Sequence, residues 1–317
     1  IYTLSLHDAL PICVSSVIYR IVLMGLIVAL TIVCFYGCGE EKEKSHTKKN
    51  TKAHTKMYGL TIDDAWYDDT DLKDVAGGLK NLKVRPTVRI VMSREKAPGE
   101  YVKLFQTVAK YADIMACPVD SSEMKNFKDK ESYLKRFKDS YEKLSGYVSI
   151  WEVGNEINGT EWIKQNPELI VGKISSAVDF IKSKDKKIGL TLYCTDSPRK
   201  DMIDWMKKYI PGKLAKSVDY CFVSYYEDDN DGYKPEWKSI FNELGEIFPS
   251  ALLGIGECGN ISEKATNESK IAMAKKYYGM PKYHERFIGG YFWWNWVEDC
   301  IPHENNKVYE AIKSYGR

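Results

Sequence analysis

The chain has 317 residues, of which 46 are basic and 44 are acidic, and its formal net charge is +2. Because the basic residues are scattered and form no patch, this composition argues against a nucleic-acid-binding protein. Aromatic residues make up 13% of the chain, so the positions of the rings carry information about its function.

The N-terminal segment predicts export rather than part of a folded core. Residues 1–12 resemble the conceptual translation of a sequencing-library adapter and are set aside. An apolar run over 21–37 then leads to Cys38 and a charged stretch, which is the layout of a signal peptide. Gly37-Cys38 is similar to a bacterial lipobox. Residues 13–38 therefore predict a lipoprotein that is anchored to the membrane at the cell surface or in the periplasm through Cys38.

Two other interpretations of this segment stay open. The apolar run has 17 residues (21 to 37), the short limit for a membrane span of about 17–25 residues, so an uncleaved anchor is one alternative. Plain secretion after cleavage is the other. Residues 39–56 contain no large apolar side chain and predict a flexible tether between this segment and the folded region.

Residues 57–317 alternate short β-branched or aromatic runs with longer amphipathic, charged segments. The predicted strands are 57–62, 86–92, 113–117, 148–154, 187–193, 218–225, 252–256 and 288–294. The predicted helices lie near 70–82, 99–111, 130–144, 167–184, 199–209, 236–247, 266–278 and 306–315. This alternation predicts parallel βαβ units that close into one (β/α)8 TIM barrel. An open doubly wound sheet is the alternative, although no GxGxxG motif follows the first strand.

The cysteines and acidic runs give little support for a metal site. Five cysteines lie in the predicted barrel: Cys117, Cys194, Cys221, Cys258 and Cys300. They include no CxxC pair, so we expect buried strand thiols, with one disulfide as an alternative in an exported protein. The run "EDDND" at 227–231 is compatible with a calcium loop but lacks the EF-hand spacing, and we expect neither a metal nor another cofactor.

Two glutamates close predicted strands at corresponding places. Glu156 follows the fourth strand in "WEVGNE", and Glu257 follows the seventh strand in "LLGIGE". In a (β/α)8 barrel, chemistry lies at the carboxyl ends of the strands, where these two strands face one another. One protonated and one ionised carboxyl group in a shared pocket are the minimal machinery for glycoside hydrolysis.

"GNE" after strand four followed by "GE" after strand seven resembles the retaining glycoside hydrolases of clan A. That resemblance implies that Glu156 is the acid/base, that Glu257 is the nucleophile and that Asn155 binds the sugar 2-hydroxyl. Arg89 in "TVRIVM" resembles the clan's arginine that supports the nucleophile, with pairing to a core carboxylate as the alternative. No family within the clan is assigned. The implied enzyme is a monomer that acts on a β-linked oligo- or polysaccharide.

Strands six and eight extend the resemblance with two unresolved choices. Ser224 stands where the clan often has a histidine, which leaves Tyr226, with Tyr225 as its rival, to bond the nucleophile. Trp293 and Trp294 both resemble the clan's tryptophan beneath the reactive sugar, and alternation along the strand does not choose between them.

Other polar residues near the predicted mouth allow more than one role. Glu152 has the same strand parity as Glu156 but lies lower in the barrel and is expected to be a hydrogen-bonded interior residue. Asp63 and Trp66 in "DDAWYDD" form either a solvated loop or a substrate-binding pair. Asp120 and Asp196 follow strands three and five and are further candidates at the mouth.

A different class of protein also fits this pattern. A non-catalytic glycan-binding protein at the cell surface could use the same barrel, because fold does not determine function. The presence of both glutamates favours the hydrolase.

Overall fold

The computed structural model of the chain describes residues 56–63, 70–195 and 202–316. Cys38, Trp66 and Asp196 lie outside the described residues, so lipid attachment at the first and mouth contacts at the other two stay predictions. Within the ranges described, no helix is long and apolar enough to cross a membrane.

Eight parallel strands close into a barrel in sequence order, and the last strand pairs with the first. The strands are β1 Met57–Ile62, β2 Thr87–Val91, β3 Asp113–Cys117, β4 Ile150–Gly154, β5 Lys187–Tyr193, β6 Tyr220–Ser224, β7 Leu252–Gly259 and β8 Phe287–Trp294. This order confirms the predicted (β/α)8 barrel and rules out the open sheet, which would leave two unpaired edges.

Helices cover the outside of the barrel. In the part of the chain that the structure describes they are α1 Leu72–Lys80, α2 Val102–Val108, α3 Lys130–Leu144, α4 Thr160–Ile163, α5 Pro167–Lys182, α6 Met202–Tyr209, α7 Gly212–Ser217, α8 Trp237–Ile247, α9 Asn267–Tyr278, α10 Trp296–Cys300 and α11 Lys307–Lys313. The sequence predicted eight of these. The short helices α4, α7 and α10 were missed because fewer than two turns carry too little periodicity to recognise.

Capping residues determine where α3 and α5 begin, the longer helices that come after β3 and β4. Asp129 accepts a hydrogen bond from the Ser132 backbone N–H at 2.7 Å and starts α3. Asn166 accepts one from the Leu169 backbone N–H at 2.8 Å, and proline occupies the first position of α5. The loops after β3 and β4 therefore end at defined residues.

The interior of the barrel is filled with side chains. Met115, Ile150, Phe222 and Phe292 form a small apolar cluster inside the strands, separate from the larger core between strands and helices. Phe222 and Phe292 meet edge to face, with ring centroids 5.4 Å apart. A filled barrel is not a pore, and in this architecture the functional residues lie at the carboxyl ends of the strands.

The barrel cysteines are buried, as expected. Cys117, Cys221, Cys258 and Cys300 are free thiols, and Cys194 is buried as well. The first three of these free thiols lie on β3, β6 and β7, and the fourth lies on α10. They contribute to packing.

Lys173 of α5 holds the loop after β3 in place. Its side chain is fully buried. Its ammonium group donates to the Met124 carbonyl at 3.3 Å, to the Phe127 carbonyl and to Gln165 Oε1 at 2.5 Å. One cation thus satisfies two backbone carbonyls of the loop and ties the loop to the start of α5.

Replacing this lysine should weaken the fold. We expect Lys173→Met to lower the free energy of unfolding by about 2–4 kcal/mol, because the Met124 and Phe127 carbonyls and Gln165 each lose a buried, charge-assisted hydrogen bond. Urea unfolding followed by tryptophan fluorescence measures the change. Lys213→Met is the matched control, since the Lys213 side chain is 85% exposed. Equal urea midpoints for the two variants would contradict the role assigned to Lys173.

Candidate active site

Glu156 and Glu257 line one pocket of about 370 Å³ at the carboxyl ends of the strands. The segments after β3, β4, β6 and β7 and the last residues of β5 and β8 supply the remaining walls of this pocket. The structure therefore brings together the two glutamates that the sequence analysis singled out.

Glu257 lies on β7, and a donor bonds each of its carboxyl oxygens. Its Oε2 accepts a hydrogen bond from Arg89 Nη1 at 2.6 Å, and its Oε1 accepts one from the Tyr226 hydroxyl at 2.7 Å. Burial raises the pKa of Glu257 to about 7, while the Arg89 charge and the Tyr226 hydroxyl act in the opposite direction. Both of its oxygens are thus oriented by strong donors.

Arg89 bridges two carboxylates rather than one. The Arg89 side chain is fully buried on β2, and its Nε donates to Glu152 Oε2 at 2.7 Å. Thr191 donates to the other oxygen of Glu152. Arg89 therefore pairs with a core carboxylate and with Glu257, and its support of a nucleophile stays a prediction. Glu152 is an interior residue, as expected.

Glu156 reaches the pocket through a turn and not through strand alternation. β4 ends at Gly154, and Glu156 has a φ of 45°, in the left-handed region. For a residue other than glycine this conformation costs about 1–2 kcal/mol. Glycine is needed at position 154, because a Cβ there would lie 2.6 Å from side-chain atoms of Ile157 and Ile174. Such local strain is typical of functional positions.

Two serine hydroxyls hold the carboxyl group of Glu156. Ser121 Oγ donates to Oε2 at 3.0 Å, and Ser224 Oγ donates to Oε1 at 2.6 Å. Burial and, next in size, the negative charge of Glu257 together raise the pKa of Glu156 to about 8. Since only Glu257 has a cationic partner, the structure favours the proton on Glu156.

Asn155 is almost completely buried, with 1% of its surface exposed. Its Oδ1 accepts a hydrogen bond from the Ser121 backbone N–H at 3.1 Å. Its Nδ2 has no hydrogen-bond partner among the described residues. A buried donor without a partner costs about 1–3 kcal/mol, so this amide is suited to binding an acceptor supplied by a ligand.

The two tyrosines that directly follow β6, Tyr225 and Tyr226, have different hydrogen-bond partners. Tyr226 bonds Glu257, as described above. The Tyr225 hydroxyl donates to the Tyr233 carbonyl, and its ring packs edge to face against Trp237 at 5.5 Å. Tyr225 therefore supports the core next to the site.

The two tryptophans at the end of β8 also occupy different positions relative to the pocket. Trp294 lines the pocket, whereas Trp293 is fully buried and its Nε1 donates to Asp299 Oδ2 at 2.7 Å. Positive φ angles at Gly289, Gly290 and Tyr291 interrupt the strand before them. This irregularity explains why alternation along the sequence could not choose between the two rings.

The acidic candidates after β1 and β3 differ in position. Asp63 Oδ1 accepts a hydrogen bond from Asn295 Nδ2 at 2.6 Å, next to Trp294, so Asp63 supports the end of β8. Its predicted sugar contact stays a prediction. Asp120 lines the pocket and accepts hydrogen bonds from the backbone N–H and hydroxyl of Ser122, at 2.9 and 2.6 Å.

The acidic run 227–231 braces the mouth of the pocket. Asp228 Oδ2 accepts the Ile261 backbone N–H at 2.9 Å, and Asp229 Oδ2 accepts the Tyr193 hydroxyl at 2.8 Å. No group of three or more His, Cys, Asp or Glu side chains in the described ranges is arranged to hold a metal ion. These carboxylates hold loop positions instead.

Five further pocket residues were not foreseen from the sequence: Ser121, Ser122, Trp162, Tyr193 and Ile261. Trp162 donates from Nε1 to Ser121 Oγ at 3.0 Å and meets the Tyr193 ring edge to face at 5.2 Å. A Cβ on Gly159 would lie 1.9 Å from the Trp162 ring, so glycine lets the indole lie over the backbone. Loop side chains carry no periodic signal, and only tertiary structure reveals such contacts.

No protein-family model and no curated protein matches the sequence. The fold is similar to that of a glucosidase from Croceicoccus marinus, with a TM-score of 0.54 and 15% identity over 83% of this chain and 67% of that chain. It is also similar to a β-glucosidase from Thermotoga maritima, with a TM-score of 0.52 and 12% identity over 76% of this chain and 88% of that chain. An FMN-binding β-glucuronidase from Facaelibacterium prausnitzii L2-6 gives a TM-score of 0.52 and 14% identity over 78% of this chain and 38% of that chain. These likenesses concern the fold, so the chain shares its (β/α)8 barrel with known glycosidases.

Proposed function

We propose that this chain hydrolyses β-linked O-glycosidic bonds with retention of configuration at the anomeric carbon. The observation that carries the proposal is the pair Glu156 and Glu257, which share one pocket in opposite environments. Neutral hydroxyls surround the first, and a guanidinium and a phenol hold the second. A retaining glycosidase needs one protonated and one ionised carboxyl group in this relation.

In the first step, an oxygen of Glu257 attacks the anomeric carbon. The bond from that carbon to the glycosidic oxygen breaks, its electron pair stays on the oxygen, and Glu156 protonates the leaving group. A glycosyl ester on Glu257 results. Asn155 Nδ2 donates to the sugar 2-hydroxyl, which supplies the partner that this buried amide needs. Trp294 offers an apolar ring surface to the sugar.

In the second step, Glu156 removes a proton from water, and the water oxygen attacks the anomeric carbon. The ester bond breaks, its electron pair returns to Glu257, and the sugar leaves with its original configuration. The reaction starts from ionised Glu257 and protonated Glu156. Activity should therefore fall at low pH as Glu257 is protonated, and at high pH as Glu156 is ionised.

The charge of the pocket favours a neutral sugar over an acidic one. Four acidic side chains line it, Asp120, Glu156, Asp229 and Glu257, and no basic side chain is among its lining residues in the described part of the chain. Arg89 is fully buried and already bonded to two carboxylates. A uronic acid would therefore meet like charge without a counter-ion.

A panel of aryl β-glycosides tests this proposal on the full chain. We expect release of the aryl group from at least one neutral glycoside, and a kcat/KM at least about tenfold lower for the matching glucuronide. Proton NMR at early times should show the β-anomer as the first product. Glycan binding without release, unchanged in Glu257→Gln, would support a non-catalytic glycan-binding protein. An α-anomer would overturn retention.

A further inference from the structure

We propose that Ser121, with its hydroxyl oriented by Trp162, is a positioning residue that determines which oxygen of Glu156 carries the transferred proton. This inference rests on the proposed function, since it concerns the acid/base of that reaction. Ser121 contacts Glu156 and Asn155 at once, through its hydroxyl and its backbone N–H.

The direction of the Ser121 hydroxyl follows from its two partners. Trp162 Nε1 can only donate, so at 3.0 Å it occupies a lone pair of Ser121 Oγ. The single hydroxyl hydrogen of Ser121 is then left for Glu156 Oε2, also at 3.0 Å. Ser121 is 4% exposed, so water has little access to compete for this hydrogen.

Ser224, on the other oxygen, is not constrained in this way. Its hydroxyl contacts Glu156 Oε1 at 2.6 Å, and a hydroxyl can donate to an ionised carboxylate or accept from a protonated one. Ser121 donates whether Glu156 is protonated or ionised, whereas Ser224 can donate to the ionised form and accept from the protonated form. The proton is therefore carried on Oε1, and Oε2 stays the accepting oxygen.

This asymmetry serves both steps of the reaction. In the first step, a fixed donor on Oε2 stabilises the carboxylate that forms as Oε1 gives up its proton. In both steps it holds the carboxyl plane in place while a proton moves at Oε1. The loop that carries Ser121 is anchored by Lys173, so the donor belongs to a rigid support.

Ser121→Ala in the full chain tests the inference on a neutral aryl β-glycoside that the wild type hydrolyses. We expect kcat to fall about tenfold for a poor leaving group, with KM little changed. The high-pH limb of kcat/KM should move up by about one pH unit, because loss of a donor to the carboxylate raises the pKa of Glu156. Trp162→Phe should move the high-pH limb in the same direction by less. Ser121→Thr, which keeps a hydroxyl, should leave the limb at its wild-type position.

The control is Ser217→Ala, whose hydroxyl donates to the Lys213 carbonyl away from the pocket, and which should leave the pH profile unchanged. A merely structural effect of Ser121→Ala would lower the thermal midpoint and scale activity at every pH without moving the limb. An unmoved limb in an active, folded variant overturns this inference alone. A wild type that hydrolyses no glycoside overturns the proposed function instead.

Discussion

Glu257→Gln should lower kcat by a factor of about 10⁴ or more, because a neutral amide cannot form the glycosyl ester. The fold should survive. The fully buried Arg89 faces two carboxylates, so removing one negative charge leaves one ion pair with Glu152. Initial rates with a neutral aryl β-glycoside and the thermal midpoint of unfolding measure the two effects separately.

Glu95→Gln is the matched control for this substitution, since the Glu95 side chain is 79% exposed. Mass spectrometry of the wild type with a 2-deoxy-2-fluoro glycoside that has a good leaving group should show one sugar attached at Glu257. Labelling at another residue, or a Glu257→Gln variant that keeps wild-type rates, would contradict the assignment of the nucleophile.

Glu156→Ala should lower kcat/KM by about 10²–10⁴ for a poor leaving group, because general acid catalysis is lost. The loss should be much smaller for a dinitrophenyl glycoside, which leaves without protonation. The second step would then limit turnover, since no base activates water. Added azide should restore turnover, because it attacks the glycosyl ester without needing a base.

The stereochemistry of the azide product identifies which glutamate was removed. Two inversions in Glu156→Ala should give the β-glycosyl azide. A single displacement gives the α-glycosyl azide and would indicate that the nucleophile was removed instead. That outcome in Glu156→Ala would reverse the two assigned roles. Product configuration read by NMR thus tests the assignment more directly than rates do.

The different environments of the two glutamates depend on residues that are distant in sequence. Arg89 comes from β2 and Tyr226 follows β6, and both bond Glu257 on β7. Ser121 follows β3 and Ser224 ends β6, and both bond Glu156 after β4. Ser224 bonds the carboxyl group of Glu156 directly, so it belongs to the environment of this glutamate.

Much of the candidate site could be predicted because the barrel converts strand order into position. Once eight strands alternate with helices, the residues at the carboxyl ends of β4 and β7 must lie at the same end of the sheet. Glu156 and Glu257 needed no further information to be placed there. Tyr226 and Trp294 each needed a choice between neighbours, which the structure made through local geometry.

The sequence alone determined the alternation of strands and helices, the barrel and the two glutamates at its mouth, because hydrophobic periodicity and chain order are local properties. Tertiary structure decided which tryptophan enters the pocket, since three positive φ angles interrupt β8. It also brought Trp162 to Ser121, a contact across 41 residues that no pattern encodes. The proton on Glu156 likewise depends on burial and neighbouring charge, and these exist only once the chain has folded.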